Sequence, residues 1–401
     1  MTKATISKYQ TIALSSSSYL PVMFWFYPSV AVHYAFLDAQ WAVLAVVLIG
    51  VWVNWMHGKF NDRFPNMTGA DPAVLLFGKP LGKLIVIVYM PVYILFVSLS
   101  LYFAISLMKY FFPHTPRYIL GAAMTLVSWR GAWCGIEALG RTAAIVHPLT
   151  FAGIIAAFTA ILFQAKHPML PLAIASPKAT AIATYHLLPL YLGVDLILIL
   201  SPYYAHKNKV SAWYPVYGSI ASGIIVLLVF FSIVMNLGWS PVERLAYPVQ
   251  VVIQLIRLRG FLVERLGIVI IILSVAFTTL FISNHIWGIS TTIARIFGQS
   301  DHQFKPYTLF VAPCVYTLSL IVQSTVEARS LVYNILTPVT WLLIVIIPTA
   351  KLVTSYVRNI RTDDREEGPR QIKQPNQTYR RTQRRTRGRR NVYHLAKASN
   401  V

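Results

Sequence analysis

One acid stands alone in the stretch 187–200, "LLPLYLGVDLILIL": Asp195, among thirteen uncharged residues. A charge deep in an apolar run is costly, and such residues face a protein interior or an aqueous cavity. Pro189 weakens the helical hydrogen-bond ladder, and Gly193 admits backbone conformations that other residues resist. "PLYLGVD" therefore reads as an interrupted helix whose free amides and carbonyls could contact a polar solute. Asp195 could bind a substrate amine, carry a proton or pair with a buried cation. A structural acid with one fixed partner, or an acid near the membrane interface, is the plain alternative.

A second interruption is written into "SSSSYLPVMFWFYP". Ser15, Ser16, Ser17 and Ser18 can bond back to helix carbonyls or across helices, and Pro21 should kink the chain. Ordinary helix packing also favours such small residues. "FISNHIWGIS" adds Asn284 and His285 at membrane depth or near its cytoplasmic side, suited to a polar pocket, a proton route or simple packing. Glu137 and Arg141 are spaced for a same-face pair, with Arg130 seven residues earlier on the same face. With Glu327 and Arg329, these charges read as interfacial anchors or gate contacts.

The chain lacks a phosphate-binding glycine loop with lysine and serine, HExxH, CxxC and a serine–histidine–acid set. No metal spacing or cofactor motif is present, and Cys134 and Cys314 read as buried small hydrophobes. That pattern suits a protein that moves or senses a small solute better than an enzyme.

The positioning elements follow from composition. Of 401 residues, 56% are hydrophobic and only 12% charged, about half the charge of an ordinary soluble domain. Residues 84–108, 210–242 and 330–350 carry no charge; each can cross a hydrocarbon core of roughly 30 Å as a helix. The apolar pattern predicts ten spans, near 10–32, 40–56, 84–107, 118–136, 143–164, 181–201, 211–236, 266–289, 306–326 and 331–352. Arg130 interrupts the fourth, and Pro189, Gly193 and Asp195 the sixth. The first run is too long and aromatic for a cleaved signal peptide, and it reads as a retained helix. Short helices are expected near 70–77 and, lying at the interface, within "YPVQVVIQLIRLRGF".

With both ends cytoplasmic, inner segments before residue 351 hold 12 Lys or Arg and outer segments 9. Fourteen more follow from Lys351 onward, which favours that orientation. Residues 1–355 thus form the membrane domain, and 356–401 a disordered basic cytoplasmic tail. Residues 370–401 carry ten Lys or Arg and no acid. Anionic lipid headgroups are the nearest partner for such a tail, with nucleic acid the less favoured one.

Four stretches carry a family resemblance over about residues 5–355: "ISKYQTIAL", "RFPNMTGADPAVLLFGKPLGKLI", "RGAWCGIEALGRTAAIVHPL" and "YPVQVVIQLIRLRGFLVERLGIVI". In these the chain resembles the spore germination receptor B subunits (GerAB-type), within the amino acid/polyamine/organocation permease superfamily. The resemblance implies an all-α polytopic membrane protein of about ten transmembrane helices, with an inverted five-helix repeat and broken first and sixth helices. It implies a nutrient-sensing subunit that binds a small germinant, an amino acid above all, in the spore inner membrane or cell membrane. An A-type membrane subunit and a C-type lipoprotein are the implied partners. A proton-coupled amino acid permease is the alternative, and a structural subunit with a degenerate pocket a third reading. Carried onto this chain, the family's pocket falls around Ser16, Ser17, Ser18 and Pro21 and around Tyr191, Gly193 and Asp195, with help from the third and eighth helices. "YLGVD" keeps the family's general pattern with a shorter acid. The first break, glycine-rich in the family, is serine-rich here.

Overall fold

The apolar runs fold as helices in the computed structural model, which describes residues 5–65, 67–68, 70–165, 175–204, 213–255 and 266–360. The first run is two helices, α1 (Lys8–Ser16) and α2 (Tyr27–Ala35). The "ISKYQ" opening has a mechanical reason: Ser7 Oγ accepts from the Gln10 amide while Gln10 Oε1 accepts from the Ser7 amide, a reciprocal cap for α1. Next come α3 (Ala39–Arg63), the short α4 (Ala70–Phe77), α5 (Lys79–Phe111), α6 (Arg117–Cys134) and α7 (Ile136–Leu162). The run holding Asp195 is also split. Helix α8 (Pro177–Leu187) gives way to a tight turn at Leu188–Tyr191, and α9 (Leu196–Leu200) resumes after Asp195.

The rest of the described chain is α10 (Trp213–Leu237), α11 (Trp239–Arg244), α12 (Pro248–Leu255), α13 (Leu266–Ile296) and α14 (Lys305–Ile321). It ends in α15 (Thr325–Leu331), α16 (Thr337–Thr340) and α17 (Ile347–Val357), joined by π-helical turns at Val332–Leu336 and Trp341–Ile346. Seven helical stretches among the described residues are long and apolar enough to cross a membrane. The proposed tail lies outside the described residues from 361 onward, as do Arg257 and Arg259 of the expected interfacial helix. The described part of that helix, α12, buries Val249, Gln250, Val252 and Ile253.

Two sequence expectations change. Gly135, at φ +87°, ends α6 and starts α7. Arg130 and Glu137 therefore belong to different helices, and seven-residue spacing no longer puts them on one face. Cys134 is exposed and Cys314 half-buried, because Cys134 sits at the open end of α6 beside that turn.

The two split runs are tied to each other at two levels, and the second run is also packed against α3. At one end the Ile6 amide donates to the Tyr203 carbonyl at 2.9 Å, in a parallel bridge between Ile6 and Tyr204. At the breaks, the Leu20 amide donates to the Leu190 carbonyl at 2.8 Å. Leu20 is held at φ +87° to do so, a conformation that costs a non-glycine residue about 1–2 kcal/mol. A small residue lets α3 approach the second run. Gly50 of α3 receives the Tyr191 ring so closely that a Cβ there would lie 2.3 Å from it. In lipid, where burial against protein gains little over burial against acyl chains, such close packing carries helix association.

At the opposite end, Arg329 of α15 lies over the Phe26 ring, with its carbon 5.1 Å from the centroid, and donates to Ser29 Oγ (3.0 Å) and Tyr333 Oη (2.9 Å). It thus fastens the start of α2 to the last helical run. Arg329→Met is expected to lower stability by about 1–2 kcal/mol, read as a lower melting temperature of the detergent-solubilised protein.

Candidate functional site

Asp195 sits where α9 begins and is 6% exposed. Two other helices supply its partners. From α3, His57 brings Nε2 to 2.5 Å from Asp195 Oδ1. From α5, the Tyr93 hydroxyl donates to Oδ2 at 2.7 Å. The other His57 nitrogen, Nδ1, faces the Val53 carbonyl of its own helix at 2.8 Å. A carbonyl only accepts, so Nδ1 carries a hydrogen. A neutral His57 would then face Asp195 with a lone pair, and an ionised Asp195 would face it with another. One further proton must lie between them. The pair is either imidazolium with carboxylate or neutral imidazole with carboxylic acid, and in both forms its net charge is zero.

The serines of the first break face inward on their own helix. Ser15 and Ser16 donate to Ile12, and Ser17 and Ser18 to Leu14. Their donors are thereby satisfied. Asn284 of α13 donates to Ser17 Oγ at 3.0 Å. Gly193, at φ +105°, lies directly against the Ser18 carbonyl, with His285 Nε2 beside it. His285 Nδ1 bonds the Phe281 carbonyl at 2.9 Å, while its Nε2 has no partner among the described residues. Ser17, Ser18, Gly193, Asn284 and His285 therefore converge at the crossing of the two breaks. Tyr93 joins them to Asp195, its ring stacked 6.0 Å from His285.

The other expected residues go elsewhere. Ser16 packs toward Gly218 of α10. Tyr191 is fully buried against Tyr19, ring centroids 5.4 Å apart, and Gly50. Pro21 lines a separate apolar cavity of about 30 Å³ with Phe24, Trp25, Phe151 and Phe277. Glu137 accepts from the Thr5 amide and lies 3.6 Å from the exposed Arg141. Glu327 Oε2 accepts from the Gln323 amide at the start of α15. Arg130 is exposed. None of these four charged residues lines either cavity.

The larger cavity opens beside Asp195. It measures about 90 Å³ and is walled by Tyr89, Tyr93, Asp195, His285, Thr292 and Lys351, among others. That is room for several waters or a small solute. His57, Tyr89, Tyr93 and Lys351 were not among the residues the sequence singled out. His57 lies one residue beyond the expected end of its span, and Lys351 reads as the first charge of the basic tail. The usable signal was the buried acid itself, which requires partners on neighbouring helices. No three His, Cys, Asp or Glu side chains cluster as metal ligands among the described residues.

The helix arrangement is similar to that of solved transporter structures. The solved structure of MhsT in complex with L-phenylalanine matches with a TM-score of 0.62 at 16% identity, over 86% of this chain and 89% of that one. Mhp1, a nucleobase-cation-symport-1 family transporter solved in a closed conformation with bromovinylhydantoin bound, matches with a TM-score of 0.56 at 11% identity, over 85% of this chain and 78% of that one. The class is therefore an all-α polytopic membrane protein whose helices pack like the inverted repeats of this transporter fold. No curated protein matches the chain by sequence. The chain belongs to the spore germination protein family, whose model matches residues 5–328. Membership is consistent with a transport or receptor protein rather than an enzyme.

Proposed function

We propose that this chain is the nutrient-sensing subunit of a spore germinant receptor and that its ligand is a small molecule of the amino acid class. The observation that carries this reading is the crossing of the two breaks, where Ser17, Ser18, Gly193, Asn284 and His285 meet beside the proton-sharing Asp195 and a solute-sized cleft. In this reading the membrane unit crosses ten times, with α1 and α2 forming the first crossing and α8 and α9 the sixth. Both ends face the cytoplasm, and the basic tail meets anionic lipid headgroups. An A-type membrane subunit and a C-type lipoprotein complete the receptor in the spore inner membrane. Sensing requires only that ligand bind one conformation more tightly than another.

The test is germination of spores carrying a clean deletion of the gene, across single amino acids, sugars, nucleosides and mixtures. Loss of one response is expected, restored by the intact gene and not by Asp195→Asn at equal protein level. A deletion that leaves every response intact, with no paralogue compensating, would sink the receptor reading. The proton between His57 and Asp195 favours a second reading, a proton-coupled amino acid permease. Uptake of labelled amino acid into proteoliposomes against its gradient separates the two, since a sensor binds without accumulating.

A further inference from the structure

We infer that Lys351 is the seat for a carboxylate group of the small solute, which it receives in the cleft beside Asp195. The inference rests on the amino-acid reading above and names the group by which that ligand is held.

Lys351 projects from α17 and is 3% exposed. Its ammonium lies 5.6 Å from the centroid of the Tyr89 ring and is attracted by the Asp195 carboxylate, with no hydrogen bond or ion pair to it among the described residues. An aromatic face stabilises a cation, yet it accepts none of the three N–H donors as an oxygen would. Asp195 lines the same cleft and attracts the ammonium, while its oxygens hydrogen-bond His57 and Tyr93. The hydroxyls nearby donate elsewhere: Tyr89 to Leu343, Thr292 to Gly288 and Thr68 to Asp71. A buried ammonium in a membrane protein is costly without a directly bonded anion, and the cleft has room for one.

Charge counting points the same way. Among the described residues, Asp195 is the only acid in the cleft wall and Lys351 the only Lys or Arg. The Asp195–His57 pair is neutral in either proton placement, so Lys351 in its protonated form gives the cleft an excess of one positive charge. The serine hydroxyls of the first break donate to their own helix and offer no competing carboxylate site.

The experiment uses the full-length protein in detergent. Thermal stabilisation is titrated with each of the twenty amino acids and with the corresponding amino acid carboxamides, for wild type, Lys351→Met and Lys351→Arg. Wild type is expected to be stabilised by at least one amino acid. Its carboxamide should bind roughly 10- to 100-fold more weakly, and Lys351→Met should lose affinity for the acid by a similar factor. Lys351→Arg should retain most of it. Equal affinity for acid and carboxamide in wild type overturns the assignment even if the Met variant fails to fold, and leaves the amino-acid reading standing. Equal affinity of wild type and a folded Met variant does the same. Stabilisation by sodium chloride alone, lost in Lys351→Met, would make this an inorganic anion site and also overturn it. No stabilisation by any amino acid would fail the amino-acid reading and this inference together.

Discussion

Replacing Gly193 with alanine is expected to unfold the crossing of the two breaks, at a cost of about 3 kcal/mol or more. Two independent penalties meet at this position. The backbone sits at φ +105°, where a side chain is strained. A Cβ would also lie 2.0 Å from the Ser18 carbonyl oxygen, which belongs to the backbone and cannot rotate aside. Gly298→Ala supplies the control. It shares the positive φ (+70°) but meets nothing within 4 Å, so only the backbone cost of about 1–2 kcal/mol applies. Melting of both variants in detergent measures the difference. A Gly193→Ala protein that melts no lower than Gly298→Ala would mean that the breaks do not touch.

The second large effect separates the shape of Asp195 from its proton. Asparagine can keep both contacts, donating from Nδ2 to His57 Nε2 and accepting from Tyr93 at Oδ1. Asp195→Asn is therefore expected to melt within about 1 kcal/mol of wild type, while losing the nutrient response. Asp195→Ala leaves His57 Nε2 and the Tyr93 hydroxyl buried without partners, and should cost about 2–4 kcal/mol. Melting the two variants side by side checks the hydrogen-bond assignment. A strongly destabilised Asn variant would mean that His57 stays doubly protonated without the carboxylate, so that its Nε2–H meets the amide hydrogens.

Much of the fold was legible because lipid imposes a simple rule: every long uncharged run must close its hydrogen bonds within itself. The helix bounds accordingly fall close to the apolar runs, and Gly193 and Pro189 marked the split beside Asp195. The ends were less legible. α3 continues through His57 and Asn61 to Arg63, because those polar residues find partners inside the protein. A hydropathy reading sees only that the apolar run has stopped. The site itself was half legible. Asp195, Gly193, Ser17, Asn284 and His285 are visible as polar or flexible residues in apolar surroundings. Their pairing is not, since His57 and Asp195 meet across 138 positions of sequence and one sequence records no such distance. Arg130 and Glu137 failed for a local reason, a left-handed glycine that breaks the periodicity on which their pairing relied.

The π turns of the last helical run have a consequence for how this cleft can be altered. The Thr337 amide reaches back five residues to Val332, and the Ile347 amide five residues to Leu342. Each turn thus holds one residue more than α-helical phase allows, and each shifts everything after it by about 100° around the axis. The direction in which Lys351 points is consequently set by reading frame within the helix as much as by neighbours. Removing a single residue between 341 and 346 would restore ordinary winding and swing the lysine from the cleft toward another face, with every side chain after it. In such a helix, the gain or loss of one codon repositions a charge as a rigid rotation, with no substitution at the position that carries it.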